Sequence, residues 1–361
     1  MRKDYFICLL LVCMMAIVGC GSASQTEAND ADLIPNDSSI QNADIYETPP
    51  ERTFAPISIQ STIPFDIAAQ YFAELEVLFA ADGGELWGVN LSVPFIFVDS
   101  VTRDIVANRP DPLGILMPQG YVYAGVLPPE VSASYGIHYF AVESWAMIPW
   151  YLMEFFADDI HARLRINSHL AFHRTQRDIF SEDFWWGNAH MDDPTARTKV
   201  ILETNALATA LESTGEVRLS AIADALSIRA ERRIMFPDNA EAENIYEIHE
   251  GLAQYTELRL NYHSLNEMLP EFRNAAYRMK ILPSVSWHFA YWTGSAYAFL
   301  LDEFYPTWKE NVSITSDLGH MLQYVLRITE LAAFNEIDLY KTATPELSHT
   351  IRLNRAVIYT C

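Results

Sequence analysis

The spacing of apolar residues changes from strand-like to helical near Asp158 in this chain of 361 residues. Before that point the sequence runs in short stretches with strand character, at 86–91, 94–99, 104–108, 120–127 and 137–150. Breaks at Ser100-Val101-Thr102-Arg103, from Arg109 to Gly114 and at Pro128-Pro129 separate most of them. After that point the apolar residues recur at helical spacing. Helices are predicted over 158–177, 195–213, 217–233, 240–261, 266–279, 286–303 and 317–335, with Pro237, Pro270, Pro283 and Pro306 between them or at their ends. One helix precedes the strands, over 63–81. Its apolar stripe is Ile67, Tyr71, Leu75, Leu78 and Phe79, and Gly83-Gly84 stop it. Strands first and helices after predict an α+β fold: a small, mostly antiparallel sheet over 63–157, then a helical subdomain over 158–335. Residues 336–361 read as a tail with strand character at 350–359, and the abrupt stop at Thr360-Cys361 suggests truncation.

The first of the later helices is unusual. Asp158-Asp159 can cap its start. Ile160, Leu164, Ala171, Phe172 and Ile179 fall roughly on one side; Ile166, His169, Leu170 and His173 fall roughly on the other. A helix apolar on both sides is predicted to be buried.

The N-terminus reads as a secretory signal over 1–19. Arg2-Lys3 precede an apolar run too short to span a bilayer comfortably. The run ends in Ile17-Val18-Gly19-Cys20, which resembles a bacterial lipobox. That resemblance implies cleavage before Cys20, lipidation of its thiol, and an extracytoplasmic place in a bacterial cell envelope. An ordinary signal peptide or N-terminal anchor is the other reading. Residues 20–62, polar, acidic and carrying Pro49-Pro50, then form a tether between lipid and body.

Charge narrows the partners. Lys and Arg number 24 against 47 Asp and Glu, a formal net charge of −23. Nucleic-acid binding draws on clustered cations that release counterions, so this chain is expected to bind none. The four cysteines are Cys8, Cys13, Cys20 and Cys361, so the body holds no disulfide framework. A zinc ion there would take His and carboxylate ligands.

His169 and His173 lie four apart, one helical turn, and can face one metal ion. Chance alone yields about 0.3 such pairs from ten histidines in this length, so core or surface histidines explain the pair as well. A second stretch, Glu247-Ile248-His249-Glu250-Gly251-Leu252-Ala253-Gln254-Tyr255, adds a candidate third ligand. Gly251 beside Glu250 would let another helix approach closely.

The segment from Glu250 to Tyr255 resembles the second zinc-ligand helix of gluzincin metallopeptidases, with their Glu-Gly-Leu/Phe-Ala-x-Tyr pattern. His169 to Gln176 resembles the His-Glu-x-Phe-His-x-x-Gln stretch of related bacterial proteins. Leu86-Trp87-Gly88-Val89, Phe97-Val98-Asp99, Gly294-Ser295-Ala296-Tyr297 and Leu300-Leu301-Asp302 resemble the same group in the same order, over roughly 65–310. The resemblance implies a gluzincin-type fold with zinc held by His169, His173 and Glu250. Glu203, Glu247 and His190 are alternative ligands or groups that orient one. Tyr291 and Tyr297 are candidate donors to a developing oxyanion, and also suit core packing.

Two residues depart from the pattern. His249 stands where Asn often precedes the ligand Glu. Leu170 stands where the general-base Glu should be, and no spacing puts Asp178 or Glu182 in its place. Loss of that base typically costs about 10²–10⁴-fold in rate. The expectation is therefore a lipid-anchored relative of zinc metallopeptidases with weak or lost peptidase activity. The alternatives are an envelope lipoprotein that binds a peptide or wall fragment without turnover, and a structural lipoprotein without metal. No Gly-rich phosphate loop or Gly-x-Ser-x-Gly elbow is present.

Overall fold

A computed structural model describes residues 60–180, 187–329 and 331. The expected signal peptide, Cys20, nearly all of the expected tether, Glu182 and the strand expected at 350–359 lie outside the described residues. The unit described begins at Ser61.

Helix α1 (Phe65–Asp82) ends at Gly83, whose φ of 59° is the left-handed conformation that glycine adopts without strain. Six strands follow: β1 (Phe95–Val98), β2 (Asp104–Ala107), β3 (Met117–Gln119), β4 (Val122–Val126), β5 (Gly136–Phe140) and β6 (Glu143–Pro149). They form one sheet in the order β3-β4-β2-β1-β6-β5. Every neighbouring pair is antiparallel except β1 and β6, which run parallel with Phe97 opposite Ile148. Strand β1 is buried along its whole length because both faces are covered. On one face Phe97 stacks on Phe72 of α1 at 4.4 Å between ring centroids. On the other, Ile96 and Val98 join a core with Ile105, Leu116, Phe140, Trp145 and Met147.

Three strand expectations are corrected. The stretch 137–150 is two strands, not one, because Ala141 and Val142 take φ of 49° and 63° and reverse the chain as a two-residue hairpin. Strand β3 is three residues long, too short to carry a strand pattern of its own, and pairs with β4 across Gly120-Tyr121. Residues 86–91 form no strand; there Trp87 stacks on Phe172 at 4.7 Å and its indole N–H bonds Thr256 Oγ1 at 2.9 Å.

The helical part comprises α2 (Trp150–Phe155), α3 (Ile160–Phe180), α4 (Pro194–Glu212), α5 (Gly215–Met235), α6 (Ala240–Tyr246), a π-helical turn (Glu247–Gly251), α7 (Leu252–Asn261), α8 (Leu265–Ile281), α9 (Phe289–Phe304) and α10 (Leu318–Val325). The fold is α+β. Helix α10 is shorter than expected, and Pro270 lies inside α8 rather than at its end. Asp159 caps α3 by accepting from the Ala162 N–H at 3.0 Å. Near the start of α3, Arg163 bonds both carboxylate oxygens of Glu74 on α1. Helix α3 then runs against β5, β6 and α7, and is buried from Ala162 to Gln176 on nearly every side. Helix α9 lies across α7 and the π turn.

Candidate metal centre

Helix α3 aims His169 and His173 at the same point. Their Nε2 atoms are 3.0 Å apart. Glu250, on the π turn, brings Oε2 to 3.4 Å from His169 Nε2 and 3.3 Å from His173 Nε2. The three side chains are buried, at 3%, 8% and 5% exposure. Glu250 Oε2 has no well-directed hydrogen bond. Two imidazole nitrogens and a carboxylate oxygen that crowd together away from water need a shared positive charge, from a proton or a metal ion. These three residues could hold a metal ion.

The ring orientations are set from behind. Gln176 Nε2 donates to the carbonyls of Ile248 and His249, each at 2.9 Å. Its Oε1 is thereby turned to accept from His173 Nδ1 at 2.9 Å. With the proton on Nδ1, His173 presents the Nε2 lone pair to the cluster. His169 Nδ1 lies 3.3 Å from Glu257 Oε2, and the other Glu257 oxygen accepts from Arg165 Nε at 2.6 Å. Glu257 is thus anchored and can keep a proton on His169 Nδ1, leaving that Nε2 to point inward too. Neither Glu257 nor Gln176 was given a role from sequence. A signal existed for both: Glu257 lies seven residues after Glu250, about two turns along one face, and Gln176 three after His173.

Without a metal the cluster is strongly polarised. Burial works against a charge on His169, but Glu250 and Glu257 outweigh it and push its pKa up to about 9. Burial also opposes charge on Glu250, yet His173 and His249 hold its carboxyl well below the usual range. Burial and then His173 push His249 well below the ordinary histidine value. The His249 ring lies 4.3 Å from that of His173, and its Nε2 lies 3.6 Å from Glu250 Oε1.

Tyr291 stacks on His169, with ring centroids 5.6 Å apart and planes 4° from parallel. Its hydroxyl hydrogen-bonds Glu250, and burial together with that carboxylate raises its pKa. Tyr297 faces away from the cluster, its hydroxyl donating to Glu203 Oε1 at 2.8 Å.

The π turn explains how one segment serves two neighbourhoods. In an α-helix, residues three apart lie about 60° from each other around the axis. The wider i→i+5 turn spreads them further. Glu250 faces the histidines, whereas Glu247 faces Arg229, whose guanidinium meets both carboxylate oxygens at 2.8 and 2.6 Å. Close packing against α9 is made possible by glycines. A Cβ on Gly251 would lie 2.7 Å from Gly294 Cα, so only hydrogen fits.

The alternative ligands are engaged in a second buried network. Glu203 accepts from Arg229, Arg232 and Tyr297. Glu243 pairs with Arg232, Arg233 and His190, the last at 2.9 Å. Asp317 pairs with Arg229 and Arg233. Asp178 points outward and pairs with Arg174 at 2.7 Å. Leu170, one residue after His169 on α3, is an apolar side chain 1% exposed.

Comparison of this chain with protein-family models, with curated proteins and with solved structures finds no match.

Proposed function

We propose that this chain is a lipid-anchored, extracytoplasmic protein of the bacterial envelope with a gluzincin-like zinc centre. Its peptidase chemistry is weak or lost because Leu170 replaces the general base. The observation that carries this reading is the triangle formed by His169, His173 and Glu250, with edges of 3.0, 3.3 and 3.4 Å. Tetrahedral zinc, bonded at about 2.0–2.1 Å, separates its ligand atoms by about 3.3–3.4 Å, close to these edges. Three protein ligands leave a fourth position open, the pattern of catalytic zinc sites. The donor set fits zinc in kind as well, since nitrogen and carboxylate oxygen are both usual zinc ligands and the folded body has no cysteine.

When bound, zinc in such a site lowers the pKa of a coordinated water and polarises a carbonyl. The protein's own groups do the rest. Glu257 and Gln176 hold the imidazoles in register. Tyr291 offers a hydroxyl beside Glu250, where a developing oxyanion could accept from it. Leu170 can neither take nor return a proton. That dry side chain also favours a second reading, in which the cleft binds a peptide or wall fragment without turnover. Attachment to the membrane would run through Cys20, and the acidic charge argues against a nucleic-acid partner.

Zinc uptake by equilibrium dialysis, run beside a broad peptide-library digest, tests this. Zinc bound by the wild type and not by His169→Ala/His173→Ala, with little or no cleavage, is the expected result. Rapid cleavage by the wild type would overturn the lost-base reading. Absence of zinc uptake would leave a protonated histidine–carboxylate cluster.

A further inference from the structure

The buried network behind the π turn converges on one guanidinium. Arg229 is 3% exposed and grips Glu247 with both terminal nitrogens, at 2.8 and 2.6 Å. The same group reaches Glu203 at 3.3 Å and Asp317 at 3.1 Å, and lies over the Tyr297 ring at 5.1 Å. Thr293 Oγ1 donates to Glu247 Oε1 at 2.6 Å. Glu247 therefore has each carboxylate oxygen bound, and its position is fixed from α5 and from α9.

Glu247 opens the π turn and Glu250 stands near its close. A π turn is a rare, wider coil than its α-helical neighbours. If it tightened into an α-helical turn, side chains before and after it would shift relative to one another by about one residue, or about 100°. Glu247 could not then keep its grip on Arg229 while Glu250 still faced the histidines. The pairs Glu247–Arg229 and Glu250–His169/His173 thus demand the same local coil. Bidentate pairing with planar geometry is what a guanidinium supplies and an ammonium does not.

We infer that Arg229, through Glu247, is a positioning residue for the metal centre: it holds the π turn that presents Glu250 to the ion. This rests on the proposal that His169, His173 and Glu250 bind zinc. Neither Arg229 nor Glu247 is among the three candidate ligands; their effect runs through the backbone from Glu247 to Glu250, and Thr293, which bonds Glu247, lies two residues from Tyr291 on α9.

The test measures zinc affinity, by competition with a chromophoric chelator, and metal-free stability, by denaturant melts, on the full chain. The variants are Glu247→Gln, Arg229→Lys, the milder Thr293→Val, and Arg232→Lys as a control. Arg232 belongs to the same network, bonding Glu203 and Glu243, but makes no bond to Glu247. The expected result is a loss of affinity of about 10–100-fold in Glu247→Gln and Arg229→Lys, as for other groups that orient ligands. Thr293→Val should fall several-fold in the same direction, and Arg232→Lys should stay within about twofold of wild type even where its stability drops. Affinity that simply follows stability across all four variants would overturn the inference, as would unchanged affinity in the three Glu247-linked ones. A wild-type chain that takes up no zinc would overturn the reading beneath it and the inference together, an outcome separate from either.

Discussion

Gly251 and Gly294 meet backbone to backbone: a Cβ built on Gly294 would lie 2.9 Å from Gly251 Cα and 2.8 Å from the Glu247 carbonyl oxygen. Neither helix can retreat freely, since Thr293 on α9 bonds Glu247 on the turn. Gly251→Ala and Gly294→Ala should each destabilise the chain by about 3 kcal/mol, the upper part of the range for overpacking. Denaturant melts measure this. A shift below about 0.5 kcal/mol would mean that the two helices do not touch as described.

Glu257 lies 3.3 Å from His169 Nδ1 and is anchored by Arg165. Glu257→Gln keeps the shape and removes the charge that would make His169 a better zinc ligand. Zinc affinity should fall by about 10–100-fold. Arg165 then loses its nearest carboxylate, so metal-free stability should fall as well. Unaltered affinity in a folded variant would remove Glu257 from the site.

Acid should unfold this chain through its second network. Burial opposes charge on Glu243, but Arg232 and hydrogen bonds hold its carboxyl well below the ordinary value of 4.5. Asp317 is likewise held below 3.8, by Arg229 and Arg233 against burial. A carboxylate with a lowered folded pKa contributes stability that is complete above its unfolded pKa. That contribution is lost as pH falls from about 4.5 through the folded values. Melting temperatures at pH 7, 5, 4 and 3 should show the steep loss below about 4.5. Glu243→Gln should flatten the profile while lowering stability at pH 7.

Metal-free His169 gives the opposite slope. Its folded pKa, raised to about 9, contributes stability that is full below the unfolded value of 6.5 and is lost as pH rises towards 9. The metal-free chain should therefore weaken between pH 6.5 and 9. Zinc affinity should strengthen over the same range, because the ion displaces a proton. Chelator-treated protein melted at pH 6 and 9 checks the first half, and chelator competition the second.

Leu170→Glu would place a carboxylate one residue after His169. Leu170 is 1% exposed, so the metal-free variant should be less stable, with a buried acid that lacks a partner. With zinc bound it should gain peptidase activity, of the order of the ~10²–10⁴-fold that a general base contributes. A zinc-loaded Leu170→Glu chain that cleaves nothing in a broad peptide library would refute the lost-base account.

Much of the architecture was legible because it rests on local pattern. The long helices follow the sheet, as the change of period near Asp158 indicates, although the short α2 already begins at Trp150; the burial of α3 follows from apolar residues on both its sides. What escaped the sequence depends on partners far along the chain. Ala141-Val142 lacks the Asn or Gly that usually marks a two-residue hairpin, so β5 and β6 read as one strand. Trp87 looked like strand but is placed by Phe172 and Thr256. At the centre, the spacing of His169 and His173 was visible, and Gly251 gave its own reason. Glu203 and Glu247 read alike from sequence as alternative ligands or groups that orient one; the π turn and the arginines of α5 decide which way each one faces.

Metal content of the purified full chain, by inductively coupled plasma mass spectrometry after zinc loading and gel filtration, decides whether His169, His173 and Glu250 hold a zinc ion. His169→Ala/His173→Ala and Glu250→Gln are measured in parallel. Close to one zinc per wild-type chain is expected, with clear loss in both variants. Equal zinc in all three, or none in the wild type, would contradict it.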